Sequence, residues 1–160
     1  MNELFTSIMQ RIAAAMPQLA LVDEDYGQLE MGAAEDHYPV TFPCALIGNA
    51  EAAWDNLAGG MQRGSITITI RLAIDCYDDT HRGSGTEALA AERAMMAHSL
   101  YSALHGFRPH EDASAMERTA TRFYPLPGGI KVYEHTFTLR VTERADTQAT
   151  GLQAAPAALL

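Results

Sequence analysis

Between Gln62 and Tyr77 the chain reads QRGSITITIRLAIDCY. Ile66, Ile68, Ile70, Leu72, Ile74 and Cys76 occupy every second position, with Thr67, Thr69, Arg71, Ala73, Asp75 and Tyr77 between them. Side chains alternate across an extended chain, so this period of two predicts a long β-strand with one apolar and one polar face. The β-branched residues on both rows suit a pleated surface. Slipping the pairing by one residue would turn the whole isoleucine row to water, so the fold has to hold that register firmly. Any architecture for this chain must therefore supply partner strands and an apolar layer over that row. The stretch itself carries no reactive constellation.

Two amphipathic segments can supply the layer. In Asn2–Met16, Phe5, Ile8, Ile12 and Ala15 recur at helical spacing with Leu4 and Met16 beside them, Asn2 can cap the start, and Pro17 marks the end. The second follows the polar Asp78–Gly85 loop. Ser84 and Glu87 have capping-box spacing, and Leu89, Met96, Leu100 and Leu104 form a stripe that ends at Gly106, with Phe107 able to pack back.

Partner strands are expected at Gln18–Val22, Tyr38–Gly48, Thr119–Tyr124 and Ile130–Glu143. Asp23, Glu24 and Asp25 break the first, and Leu29–Ala33 is ambiguous between helix and strand. Pro39 and Pro43 confine part of the second to an edge or a bulge, and Phe42, Cys44 and Leu46 share one of its faces. Asn49–Gly60 reads as a connection in which Trp54 packs back onto the protein or onto a neighbour, closing a long hairpin. The Pro127-Gly128-Gly129 turn closes another. In the last strand Tyr133, His135, Phe137, Leu139 and Val141 alternate, while Ile130 and Val132 fall out of phase and suggest a bulge near Tyr133.

The order predicts an α+β fold: an antiparallel sheet built from two hairpins, with two helices packed on one face. Residues 1–143 form one domain and 144–160 a flexible C-terminal tail, poor in aromatics, whose Leu159 and Leu160 can fray or dock. The other sheet face carries the threonines, and is either solvated or a subunit contact. Trp54, Thr67, Thr69 and Arg71 are the candidates for such a contact.

With 20 acidic and 11 basic side chains the formal net charge is −9, the wrong sign for sequence-independent binding to DNA or RNA. No apolar run is long enough to cross a membrane, and no secretory signal is recognisable. Cys44 and Cys76 lack metal-type spacing and read as small apolar residues rather than a disulfide.

The closest approach to chemistry is Asp75, Asp78, Asp79 and His81, carboxylates of the kind a hard cation uses, but without a calcium-loop spacing. A solvated acidic loop at a strand end is the favoured reading of them, and a small metal-dependent enzyme is the alternative they would support. Zinc-protease, nucleophile-elbow and phosphate-loop patterns are missing. The histidines are scattered, and His135 falls on an apolar strand face, as a hydrogen-bonded core residue does. No catalytic residue, cofactor or metal site is expected. An adaptor that binds a peptide at a free sheet edge is a further alternative.

Three stretches together carry a family likeness: the strand ending IRLAIDCYDDT, the helix exit LYSALHGF, and the last strand YEHTFTLRV. With DEDYGQLE followed by YPVTFPCALI, the layout resembles the small tail-terminator and tail-completion proteins of long-tailed bacteriophages and proteins of prophage tail gene clusters. The likeness covers about residues 1–143. It implies a non-enzymatic virion protein, assembled in the host cytoplasm, that forms a ring, commonly a hexamer, at the end of the tail. Its partners would be further copies of itself, the tail-tube protein and the head–tail connector, with DNA passing through unbound. Asp75, Asp78 and Asp79 become candidates for an acidic lumen or surface loop in such a ring, with Asp23–Asp25 a second candidate. A head–tail connector adaptor (a neck or stopper protein) is the neighbouring alternative.

Overall fold

A computed structural model describes residues 2–35, 39–78 and 80–145. The isoleucine stretch is β3, Met61–Asp75, in the middle of a five-stranded sheet of order β1-β2-β3-β5-β4. The flanking strands are β1 (Leu21–Glu24), β2 (Cys44–Asn56), β4 (Glu117–Leu126) and β5 (Ile130–Arg144). Three α-helices, α1 (Asn2–Ala15), α2 (Gln28–Glu35) and α3 (Ala88–Leu104), complete the described residues. The fold is α+β. Both expected hairpins are present, β2–β3 and β4–β5, and β3 and β5 pair antiparallel without a break from Met61↔Arg144 to Asp75↔Ile130. The expected first strand lies slightly later than its apolar run, takes in Asp23 and Glu24, and joins β2 in parallel at the edge.

Helices α1 and α3 cover the isoleucine row. Leu4, Ile8 and Ile12 from α1, Met16 just after it, and Ala97, Leu100, Ala103 and Leu104 from α3 pack on Ile66, Ile68, Ile70, Leu72, Phe137 and Leu139. Burying each large apolar side chain contributes roughly 1.5–3 kcal/mol, so this layer fixes the register of β3. The two helices are joined where Arg11 Nε donates to the Ala103 carbonyl at 2.9 Å and its guanidinium lies 5.4 Å above the Phe107 ring. The chain leaves α3 at Gly106, and Phe107 folds back onto the core as expected. The capping box does not form. Ser84 Oγ accepts from the Thr86 N–H, Glu87 reaches the Gly83 N–H, and the helix starts later, at Ala88.

The second sheet face is not simply polar. At one end it carries its own cluster of Leu29, Cys44, Leu46, Ala73, Ile130 and Val132, under α2 and the segment around Val40 and Phe42. This corrects the expected bulge near Tyr133. Ile130 and Val132 keep the strand's alternation and face the second cluster, because this end of the sheet is buried on both sides. The irregularities lie elsewhere, between Gly48 and Glu51 on β2 and between Arg118 and Ala120 on β4. The prolines stand where a ladder needs no donor, since β2 begins at Cys44, just after the cis Phe42–Pro43 peptide.

The other end of the sheet is bare. Strand β2 runs on past Gly48 to Asn56, so Trp54 sits in a strand and only Leu57–Gly60 remain as connection. From Ala50 to Arg63 all residues are exposed except Trp54 and Leu57, which are half-buried. With Glu143 and Arg144 of β5 this makes a three-stranded arm reaching past the helical cover. Trp54 braces it opposite Gly64, where an added Cβ would come within 2.7 Å of the indole, and Gln62 Nε2 donates to Asn56 Oδ1 at 2.8 Å near the tip. Tyr38, Asp79 and residues 146–160 lie outside the described residues.

Candidate functional site

Arg71 lies on the polar row of β3, yet its side chain is only 7% exposed. The turn between β1 and α2 brings two carboxylates over it. Arg71 Nε and Nη2 donate to Asp25 Oδ2 and Oδ1 at 2.6 and 2.7 Å, a bidentate pair. Nη1 and Nη2 also donate to the two carboxylate oxygens of Glu30. Burial works against the charged guanidinium, but hydrogen bonds with Glu30, Asp25 and Tyr124 outweigh it and raise its pKa. Hydrogen bonding from Arg71 holds Glu30 below the usual carboxylate range, although Glu30 is 63% exposed. Asp25 can come this close because Gly48 lies beneath it: a Cβ there would meet the Asp25 Cβ at 2.5 Å. Arg71 is thus bonded within its own chain and leaves the threonine surface to others.

That turn is rigidly built. Gly27 N–H donates to Asp25 Oδ1 at 3.1 Å, Tyr26 N–H to Gln28 Oε1 at 2.9 Å, and Gln28 Nε2 to the Glu24 carbonyl at 2.8 Å. Gln28 is fully buried. The result is a knuckle that holds Tyr26 out, 60% exposed, beside exposed Glu24.

Thr67 and Thr69 are half-buried and pair directly with Thr138 and Thr136, which makes a compact block of four threonines between the arm and the Arg71 cluster. Trp54 is half-buried on the arm, committed to Gly64. The four residues suggested by sequence as one contact therefore divide between an open face, an arm and a buried ion cluster.

The acidic loop after β3 does not converge. Asp75 is half-buried, while Asp78 is exposed and stands 3.6 Å from Arg93 of α3. Asp79 lies outside the described residues. Among the described residues, the group close enough to share a cation is His110, Glu111 and Asp112. There His110 Nε2 faces Glu3 at 3.1 Å and Nδ1 accepts from the Asp112 N–H at 3.2 Å, so the imidazole already has partners on both nitrogens. Both cysteines are free thiols on opposite faces of the sheet, and burial pushes the Cys44 thiol up to about 12. His135 is buried as expected: Nε2 meets the Ala97 carbonyl at 3.2 Å and Nδ1 the Thr121 hydroxyl at 3.0 Å, tying α3 to the edge strand. Its pKa is lowered by burial.

Beyond β5, the edge strand β4 borders a partly apolar concavity. It is a groove of about 540 Å³ lined by Cys76, Arg93, Phe123, Leu126, Lys131 and Tyr133. Phe123 is 55% exposed, edge-on to Tyr133, and the Lys131 ammonium lies 5.5 Å from the Tyr133 ring.

No family model matches the sequence, and no curated protein matches it. Among solved structures, the chain is similar to one described as "Virion of native gene transfer agent (GTA) particle", with a TM-score of 0.52 and 14% identity. The match covers 87% of this chain and 94% of that chain. At that identity the likeness is one of fold.

Proposed function

We propose that the chain is a non-enzymatic structural protein of a phage-like virion. The observation that carries this reading is the fold likeness to a gene transfer agent virion chain, which spans nearly the whole of both chains. Two features support it. A sheet that outruns its helical cover, with a three-stranded arm and an open threonine block, offers surface for neighbouring subunits. The ionisable clusters, in contrast, are closed by partners of their own: Arg71 by Asp25 and Glu30, His110 by Glu3 and Asp112.

Within that class the tail terminus is the specific assignment: a ring, probed first as a hexamer, that completes the tail next to the head–tail junction. The tail-tube protein and the head–tail connector are its partners, and assembly takes place in the host cytoplasm. The acidic excess suits a wall that DNA passes without adhering. A neck or stopper adaptor is the second reading, and the same fold likeness accommodates it.

Disrupting the gene separates these. Tails of uncontrolled length identify a terminator, full heads beside finished tails identify a neck protein, and normal particles remove both. Labelling of the protein at one end of purified particles is the companion measurement.

A further inference from the structure

We propose that copies of this chain join head to tail, with the Tyr26 knuckle of one copy seated in the groove beside Phe123 of the next. This rests on the reading that the chain assembles with itself, and it names the contact. Among the described residues, four of the six exposed large apolar side chains lie near the two edges of the sheet, the others being Met61 on the arm and Met95 on α3. Tyr26 and Met31 lie on the β1–α2 side, whereas Phe123 lies on β4, and Tyr77 follows β3 on the rim of the β4–β5 hairpin. The edge strands β1 and β4 are separated by four strand spacings, roughly 19 Å. One copy cannot bring its own knuckle to its own groove, so the contact is between copies, and used head to tail it is heterologous, of the kind that can close into a ring.

The two surfaces match in charge and in shape of chemistry. The knuckle presents an exposed aromatic ring two residues from the exposed carboxylate of Glu24. In a chain of net charge −9, the groove presents Arg93 and Lys131 around an apolar floor of Phe123, Leu126 and Tyr133. Lys131 is the exposed cation there, whereas the Arg93 side chain is 11% exposed and faces Asp78 at 3.6 Å. Tyrosine is a common anchor of protein interfaces, and an anchor already fixed in the free protein loses little entropy on docking. That accounts for the buried Gln28 and Asp25 under the knuckle, which hold three polar contacts to present one exposed ring.

Native Cys76 lines the groove and supplies the test. The full-length Tyr26→Cys variant, oxidised under mild conditions, should give a ladder of covalent oligomers beyond the dimer. The same variant carrying Cys76→Ser should give none. In sedimentation velocity across a concentration series, Lys131→Glu should weaken self-association at least tenfold, and adding Glu24→Lys should restore it. Crosslinking that stops at the dimer would overturn the head-to-tail geometry. Wild-type association with no crosslink, or with no response to Lys131→Glu, would overturn the contact while leaving a ring by other surfaces intact. A wild type that stays monomeric throughout also overturns it, and particle labelling then decides the virion reading separately.

Discussion

Arg71→Met removes the cation from a site where Asp25 is 3% exposed and where Gly48 and the knuckle hydrogen bonds hold it down. Breaking one side of a buried ion pair costs about 3–5 kcal/mol, since the surviving charge stays desolvated without a partner. Glu30, being 63% exposed, adds only the surface-pair scale of about 0–1 kcal/mol. The loss is therefore dominated by Asp25 and amounts to about 3–5 kcal/mol, a large part of the roughly 5–15 kcal/mol typical of a domain. For a chain of this length each kcal/mol moves Tm by about 2–4 °C, so the variant should melt roughly 6–20 °C lower. Urea unfolding followed by circular dichroism at pH 7 gives the free energy directly. Asp25→Asn with Arg71→Met should recover part of the loss, because the amide keeps the acceptor for the Gly27 N–H without a buried charge. A loss below about 1 kcal/mol for Arg71→Met alone would place the carboxylates in water and refute the buried pair.

Gly48→Ala should act on the same cluster from below, displacing Asp25 and costing about 1–3 kcal/mol in the same urea experiment. Gly64→Ala drives a methyl to within 2.7 Å of Trp54, so the tryptophan emission should shift to the red while the melting of the helical core changes little. His135 has a folded pKa below its ordinary 6.5, so the unfolded chain takes up the proton first. Its contribution is complete above the ordinary value and is lost as pH falls toward the folded one, and His135→Gln should flatten that slope in urea titrations. Glu30 has a folded pKa below its ordinary 4.5, so its contribution is present above that value and disappears as pH falls through the folded one. Glu30→Gln should remove that part of the acid limb, and to a lesser extent than Arg71→Met because the carboxylate is mostly exposed.

The parts of this fold that were legible in the sequence are those buried on one side. Strand β3, helices α1 and α3 and the alternating half of β5 each write their burial as a period. Burial on both sides or on neither erases it. Ile130 and Val132 looked out of phase because a one-sided sheet was assumed, and AEAAWDN of the arm shows no pattern because both of its faces meet water. Arg71 is a case of a different kind. A charge on the polar row of a strand looks the same whether it faces solvent or a buried carboxylate, and its partners Asp25 and Glu30 lie 46 and 41 residues away. The signal that was available is the density of acids in DEDYGQLE next to a small residue, Gly48, in the facing strand. The groove beside β4 draws on α3, β4, β5 and the turn after β3, so no local stretch announces it.

The uninterrupted β3–β5 ladder has one further consequence. Its fifteen rungs share a single set of backbone hydrogen bonds, yet they run from an end packed on both faces to an end packed on neither. Opening a rung costs the local packing as well as the bond, so the free energy of opening must climb steadily along the same two strands. The molecule then breathes from one end only. Amide protons at Gln62 and Glu143 should exchange by fraying of the tip and those at Leu72 and Val132 by unfolding of the whole domain, with the boundary expected near Ile66, where the apolar core begins. A tip that loosens without disturbing its root can adapt to a neighbour during assembly and become fixed once the neighbour is in place.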